Sequence, residues 1–476
     1  MTDLVIKGGH VLVGDTLLET DVVVTDGRIE ALHDDAPLNG SAEVIDARGK
    51  YVLPGAIDPH THIHWPYLDI TTKDTFFTAT RAAALGGITM IVDWAVQKRE
   101  DPDAGPEGSL LAAFRRRRAE IDGQSVVDYA LHSTLTVPDE TTLASIPGVL
   151  EQGVSLLKLY MTYRKRGIMT DDGLLWDVLN EAAHLDTIVG IHAENAAIHE
   201  HKERQFRARG QTTPVEWGRH KAPIVESEAV HRAIYLAEKT GAPILLRHIS
   251  TADALEFIRQ ARQRGAPIFA ETCPQYLVLD ESAFERPDGY CFICSPPIRG
   301  AADREAVWRA LADGTIAILG SDHIAFSVAD KASGGENALA TPSGLPGIET
   351  LFPIVFSEGF MKGRISLSRL MALMATNTAK LYGWYPLKGV LLPGSDADIV
   401  VVDPEARRTL RAADLHMDTD YIPYEGLEVQ GYPLHTISCG RVLVKDGEFQ
   451  GEPGSGRFVP GRVGRWRALD PRWETR

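Results

Sequence analysis

The stretch Val52-Leu53-Pro54-Gly55-Ala56-Ile57-Asp58-Pro59-His60-Thr61-His62-Ile63-His64 opens as a short apolar strand and closes on a His-x-His pair. Side chains i and i+2 of a strand point to the same side. From a strand end, His60 and His62 can therefore reach one metal ion together. Two ordinary histidines at a strand end would read the same way. The question is whether other strands supply further ligands.

Downstream of this stretch, residues 53–385 repeat one unit: an apolar strand, a polar loop, then a helix. Eight strands are predicted, near 52–58, 88–93, 126–133, 154–160, 187–192, 243–248, 267–271 and 316–321. Asp74 to Leu85 reads as a helix. Asp171 to His184 carries Leu174, Leu175, Val178, Leu179 and Ala182 at helical spacing. Ala252 to Arg264 and Asp303 to Asp313 are further helices, each ending before a glycine, Gly265 and Gly314. Eight such units predict an α/β fold, a (β/α)8 TIM barrel, with its active site at the C-terminal ends of the strands.

The flanks differ. Leu4-Val5-Ile6, His10 to Val13, Asp21 to Val24 and Ile29 to Leu32 are short bursts separated by glycines and the Asp26-Gly27 turn. They predict a small antiparallel unit. Ala397 to Val402 and Thr436 to Val444 match it near the other end. We expect residues 1–52 and 386–450 to form one small β-sandwich, with the barrel inserted between. Residues 451–476 are rich in Gly, Pro and Arg. Phe458, Val459, Trp466 and Trp473 would be costly to expose together, so this tail is expected to pack on a neighbouring subunit.

Composition narrows the function. Hydrophobic residues make up 44% and charged residues 24%, an ordinary globular balance, and the formal charge is −16. That disfavours nucleic acid and anionic membrane as partners. No apolar run reaches the length of about 18 residues that a membrane span needs. Met1-Thr2-Asp3-Leu4 lacks the basic and apolar regions of a signal peptide, so the cytoplasm is the expected compartment. Four cysteines make no disulfide framework. Cys291 and Cys294 lack the second pair of a zinc site and read as buried or pocket-wall residues.

At the predicted strand ends the polar residues accumulate. Strand one leads to His60 and His62. Strand four carries Lys158 inside an apolar run, where an unpaired ammonium is expensive. Strands five and six end in His192 and His248, and strand eight in Asp322. Any one could be a satisfied core residue, but six at one rim are improbable by chance. Nitrogen and oxygen donors without a thiolate suit zinc or a similar divalent ion in a catalytic site.

The set Asp58-Pro59-His60-Thr61-His62, Lys158, His192, His248 and Asp322 resembles the amidohydrolase superfamily, and within it the hydantoinase/dihydropyrimidinase family. Lys158 to Tyr163, His192-Ala193-Glu194-Asn195, Cys294 to Arg299, Gly320 to His323, Asn377 to Gly383, Gly394 to Asp398 and Tyr424-Glu425-Gly426 carry the likeness along nearly the whole chain. The resemblance implies a cyclic amidase holding two divalent metal ions, usually zinc. His60, His62 and Asp322 would hold one; His192 and His248 the other. Lys158, carboxylated by carbon dioxide, would bridge them as a carbamate, which resolves its burial. Tyr163 would donate to the oxyanion and Asp322 would shuttle a proton to the leaving nitrogen. The implied substrate is a small cyclic ureide or imide, and the implied assembly a homo-oligomer, with a tetramer favoured.

Two departures bear on substrate. The family contacts the ureide through the backbone of Ser295 and of a loop after strand eight. Here that loop is Ser343 to Glu349, and Pro346 has no N–H to donate. This weakens a dihydropyrimidinase assignment and leaves hydantoinase-like and allantoinase-like enzymes open. Dihydroorotases carry arginine two residues after the His-x-His pair, whereas this chain has His64. His64, Trp65 and Tyr67 read as an aromatic cluster, with Trp65 or Tyr67 lining a pocket for a substituent on the ring. A non-catalytic relative is disfavoured, because all six ligand positions are present.

Overall fold

Gly55 divides the opening stretch between two sheets. In the computed structural model, which describes residues 2–37, 42–67, 69–98, 109–137, 140–335 and 337–469, Tyr51–Pro54 pairs antiparallel with Ile399–Thr409. Ala56–Asp58 pairs parallel with Ile88–Val96. The expected single strand over 52–58 is thus two strands. A Cβ on Gly55 would stand 2.3 Å from the Thr89 side chain. Only glycine allows the chain to cross from one sheet to the other this close to its neighbour.

The barrel strands are β1 (Ala56–Asp58), β2 (Ile88–Val96), β3 (Asp128–Thr134), β4 (Leu156–Tyr160), β5 (Ile188–His192), β6 (Ile244–Leu246), β7 (Ile268–Thr272) and β8 (Ile318–Leu319). Each pairs parallel with the next. Between β8 and β1 the ring is completed beyond the strands. Thr61 bridges His323, and the His62 N–H donates to the His323 carbonyl at 2.8 Å. Below this, the buried Asp58 carboxylate accepts from the Ser321 N–H at 3.0 Å and from its hydroxyl.

Helices cover the barrel where their periodicity predicted them. Asp172–Leu185 is capped by Asp171, which accepts from the Leu174 N–H, and buries Leu174, Leu175, Val178, Leu179 and Ala182. Phe76–Leu85 begins in a capping box made by Thr75 and Thr78. The two ends of the chain meet in one nine-stranded, mostly antiparallel sheet. Its own apolar core draws on both ends: Leu4, Ile6, Val22 and Val24 pack with Ile399, Val401 and Ile437.

The tail has a place within the chain itself. It packs on its own barrel, at the N-terminal ends of β3–β5. The Tyr129 N–H donates to the Arg457 carbonyl at 2.8 Å, and the Val459 N–H to the Tyr129 carbonyl at 2.8 Å. Phe458 lies against Phe114 and Tyr129, and Trp466 Nε1 donates to Asp186 at 2.9 Å. Phe458, Val459 and Trp466 thus find partners within the chain. Trp473 lies outside the described residues.

Candidate active site

The C-terminal rim of the barrel surrounds one cavity. Its lining includes His60, His62, Lys158, His192, His248 and Asp322, drawn from or just beyond β1, β4, β5, β6 and β8. His60 and His62 stand past the end of β1 rather than in it. The Thr61 bridge keeps that segment extended, so both rings still fall on one side, 5.2 Å apart. Asp322 Oδ1 lies 3.1 Å from His60 Nε2 and 3.2 Å from His62 Nε2. The donor atoms of these three residues all fall within 4.8 Å of one another. On the other side of His60, His248 stacks at 5.7 Å, and His192 meets His248 edge-on at 4.4 Å.

Several of these groups sit in conformations the protein must enforce. His248, Asp322 and Tyr163 have φ of 42°, 51° and 66°, the left-handed region that non-glycine residues seldom occupy. Buried carboxylates fix the imidazoles. His60 Nδ1 meets Glu271 Oε1 at 2.6 Å, and Arg247 holds Glu271 from behind. His192 Nε2 meets Glu194 Oε2 at 2.8 Å, and the buried Lys221 donates to that oxygen at 2.8 Å. Such partners set the tautomer and aim the remaining ring nitrogen.

Electrostatics favour metal ligands. Burial pushes His60 and His248 well below the ordinary imidazole value and lowers His192, so these rings are neutral and keep a lone pair. Burial, helped by Arg247, lowers Lys158 to about 7, so the neutral amine is accessible. Burial opposes ionisation of Asp322, but His60 and His62 outweigh it and hold the carboxylate below its usual range. Lys158 Nζ, His62 Nδ1 and His248 Nδ1 are buried and have no hydrogen-bond partner among the described residues. Buried polar atoms left unpaired in this way are costly. The donor set and its orphaned atoms fit a site for divalent ions.

Around this centre, Tyr163, Ser295, Trp65 and Tyr67 all line the cavity. Burial raises the Tyr163 phenol well above its ordinary value, which keeps it a hydrogen-bond donor. Ser295 Oγ accepts from Lys221 Nζ at 2.7 Å and from Ser343 Oγ at 3.2 Å. Pro346 is buried and stands outside the lining, where Ser343 and Gly344 of the same loop take its place. His64 is exposed and faces a side pocket with Arg116, so it does not join Trp65 and Tyr67 at the cavity. Cys291 and Cys294 are buried, as expected.

Sequence reasoning missed Glu271, although its signal matched that of Lys158: a charged residue inside an apolar strand, Ile268–Thr272. It also missed Lys221 and Arg166. These stand in a helix–helix junction and a loop turn, where a charged residue attracts no notice.

A barrel with nitrogen and oxygen ligands converging at its C-terminal rim is the architecture of metal-dependent hydrolases. The model of the amidohydrolase family matches residues 51–443. The D-hydantoinase of Geobacillus stearothermophilus is 38% identical over 463 residues, covering 96% of each chain. Among solved structures, D-hydantoinase from Bacillus sp. AR9 superposes with a TM-score of 0.93 at 37% identity, over 97% of this chain and 99% of that one. Dihydropyrimidinase from Brevibacillus agri gives the same values. The chain belongs to the amidohydrolase family, in its hydantoinase/dihydropyrimidinase branch.

Proposed function

We propose that the protein is a cyclic amidase that hydrolyses a ring amide of a hydantoin, a dihydropyrimidine or a related cyclic ureide or imide. The observation that carries this reading is the convergence of His60, His62, Lys158, His192, His248 and Asp322 on one cavity. His60, His62 and Asp322 would hold one divalent ion and His192 and His248 a second, zinc in both places, with Lys158 joining them as its N-carboxylated form. Two such ions supply Lewis-acid polarisation of the ring carbonyl and a water made acidic enough to attack near neutral pH.

The protein's own groups do the rest. The Ser295 and Ser343–Gly344 loops border the cavity and would hold the ureide through their backbones. The Tyr163 hydroxyl donates to the carbonyl oxygen as negative charge develops on it. Asp322 takes the proton of the attacking water and delivers it to the ring nitrogen, which leaves poorly as an anion. The ring C–N bond breaks, the water oxygen stays on carbon as part of a carboxylate, and the nitrogen leaves protonated. Trp65 and Tyr67 form the wall against which a ring substituent packs.

The deciding experiment is a ring-opening assay over hydantoin, D- and L-5-substituted hydantoins, dihydrouracil, allantoin and cyclic imides, with metal content measured alongside. Allantoin as the best substrate would assign the same chemistry to a more polar ring. No turnover by metal-loaded protein would reject the reading. No described helix is long and apolar enough to cross a membrane. A homo-oligomer, with a tetramer favoured, is part of the proposal, and sedimentation velocity tests it.

A further inference from the structure

Among the described residues, the cavity holds one charged side chain outside the six convergent groups, Arg166. It ends a short turn, Arg164–Arg166, that follows β4. Tyr163 before the turn and Gly167 after it both lie in the left-handed region, at φ of 66° and 70°, so the turn's direction is fixed at each end. Its three cations are treated differently. Arg164 pairs with Glu200 at 3.2 Å and Lys165 with Glu203 at 2.7 Å, both on the helix Ala196–Ala208. Arg166 turns the other way. Its guanidinium lies 4.6 Å from the Tyr67 ring centroid and 5.0 Å from that of Tyr163, and it pairs with no carboxylate among the described residues.

That geometry matters chemically. A guanidinium beside aromatic rings is attracted to them without using up its N–H donors, and those of Arg166 meet no acceptor among the described residues, which leaves its N–H edge free. The free edge is a fork matched to a planar oxyanion, which it binds with two parallel hydrogen bonds. Tyr163 is the proposed oxyanion donor and Tyr67 the proposed substituent wall, so Arg166 stands where the ring's exocyclic group must pass. A cation held at that place with no carboxylate partner among the described residues, in a chain of net charge −16, is a recognition element for negative charge.

We propose that Arg166 determines specificity, selecting cyclic ureides whose exocyclic substituent ends in a carboxylate. The inference rests on the ring-opening reading above and narrows its substrate class. Trp65 and Tyr67 pack on the stem of the substituent, and Arg166 takes its charged end.

The test compares hydantoin-5-acetate with its neutral isostere hydantoin-5-acetamide, using unsubstituted hydantoin as reference. The metal-loaded wild type is expected to favour the acetate at least tenfold in kcat/KM. Rising salt should erode that preference by slowing acetate turnover. In Arg166→Gln the acetate-to-acetamide ratio should fall to near one. In Arg166→Lys, which keeps the charge and loses the fork, it should be intermediate. A wild type that opens hydantoin but treats the two derivatives alike, at any salt concentration, overturns this inference alone. So does an Arg166→Gln enzyme that keeps the wild-type ratio. A wild type that opens none of the three overturns the ring-opening reading, and this inference with it.

Discussion

Glu271 Oε1 lies 2.6 Å from His60 Nδ1, across the imidazole from Asp322, whose Oδ1 is 3.1 Å from Nε2. The ring is thereby held between two carboxylates, one on β7 and one just beyond β8. Glu271 fixes which nitrogen carries the proton and leaves Nε2 facing the cavity. Glu271→Gln should therefore weaken metal retention and lower kcat together, by roughly 10–100-fold, the range for groups that orient a ligand. Competition with a chelator measures the first and steady-state kinetics the second. Wild-type metal affinity in the variant would remove Glu271 from this role.

Lys158 is fully buried, and its Nζ has no hydrogen-bond partner among the described residues. As an ammonium it would be a buried charge without a hydrogen-bond acceptor; as a carboxylated amine it would become an anionic ligand. Lys158→Met and Lys158→Arg should both fold, lose metal and lose activity by roughly a thousandfold or more, equivalent to about 4 kcal/mol of barrier. Arginine keeps a positive charge yet cannot supply the carbamate, so the paired loss separates the modification from charge alone. Intact mass under native conditions should show the carbon dioxide adduct in the wild type only. An active, metal-replete Lys158→Arg enzyme would refute the assignment.

Tyr163 keeps its proton because burial disfavours the phenolate. If its hydroxyl serves the developing oxyanion, Tyr163→Phe should lower kcat by about 100–1,000-fold, the loss seen when one such donor is removed. KM should change far less, because the ground-state carbonyl needs the bond less. A variant altered mainly in KM would make Tyr163 a wall of the pocket instead.

Trp65 meets His62 edge-on at 4.7 Å and lines the cavity. Trp65→Ala should shift the ratio of 5-aryl to unsubstituted hydantoin turnover, because an aryl group would pack on the lost surface and unsubstituted hydantoin has no group that reaches it. An unchanged ratio would place Trp65 in a purely structural role.

The barrel was legible because each strand carries its own apolar run, and the candidate ligands because each interrupts or closes such a run with a polar residue. Lys158, His192, His248 and Asp322 could all be located this way. What pattern could not give was where the backbone turns. Gly55 switches the chain from one sheet to the other, and although Pro54-Gly55 signals a break, it does not say that the next strand joins a different sheet. His64 follows His60 and His62 at the same two-residue spacing. Its φ of 45° breaks the alternation and sends it to the surface. Phe458 and Trp466 in the tail do find aromatic and polar partners, but composition alone does not say which surface supplies them. Arg166 was invisible because three adjacent cations in a loop look alike until their partners are known.

His199 Nε2 and His220 Nε2 lie 2.9 Å apart, joining the helix Ala196–Ala208 to Pro214–His220 beside the Glu194–Lys221 pair. One ring donates its N–H to the other's lone pair, which both can do while neutral. Burial, reinforced by Lys221, holds His199 to about 3 and His220 to about 4. An unfolded chain protonates its histidines near 6.5. Between that value and about 4 the unfolded state therefore binds protons that the fold refuses. Stability from the pair is fully present above about pH 6.5 and is lost as pH falls, with a slope of about 1.4 kcal/mol per pH unit for each histidine. His220→Gln can still bond to His199 but has no titrating ring. Its urea midpoint should fall less steeply than the wild type's between pH 6.5 and 4, and the two should run parallel above pH 7. Equal slopes throughout would show that the pair is already protonated in the fold.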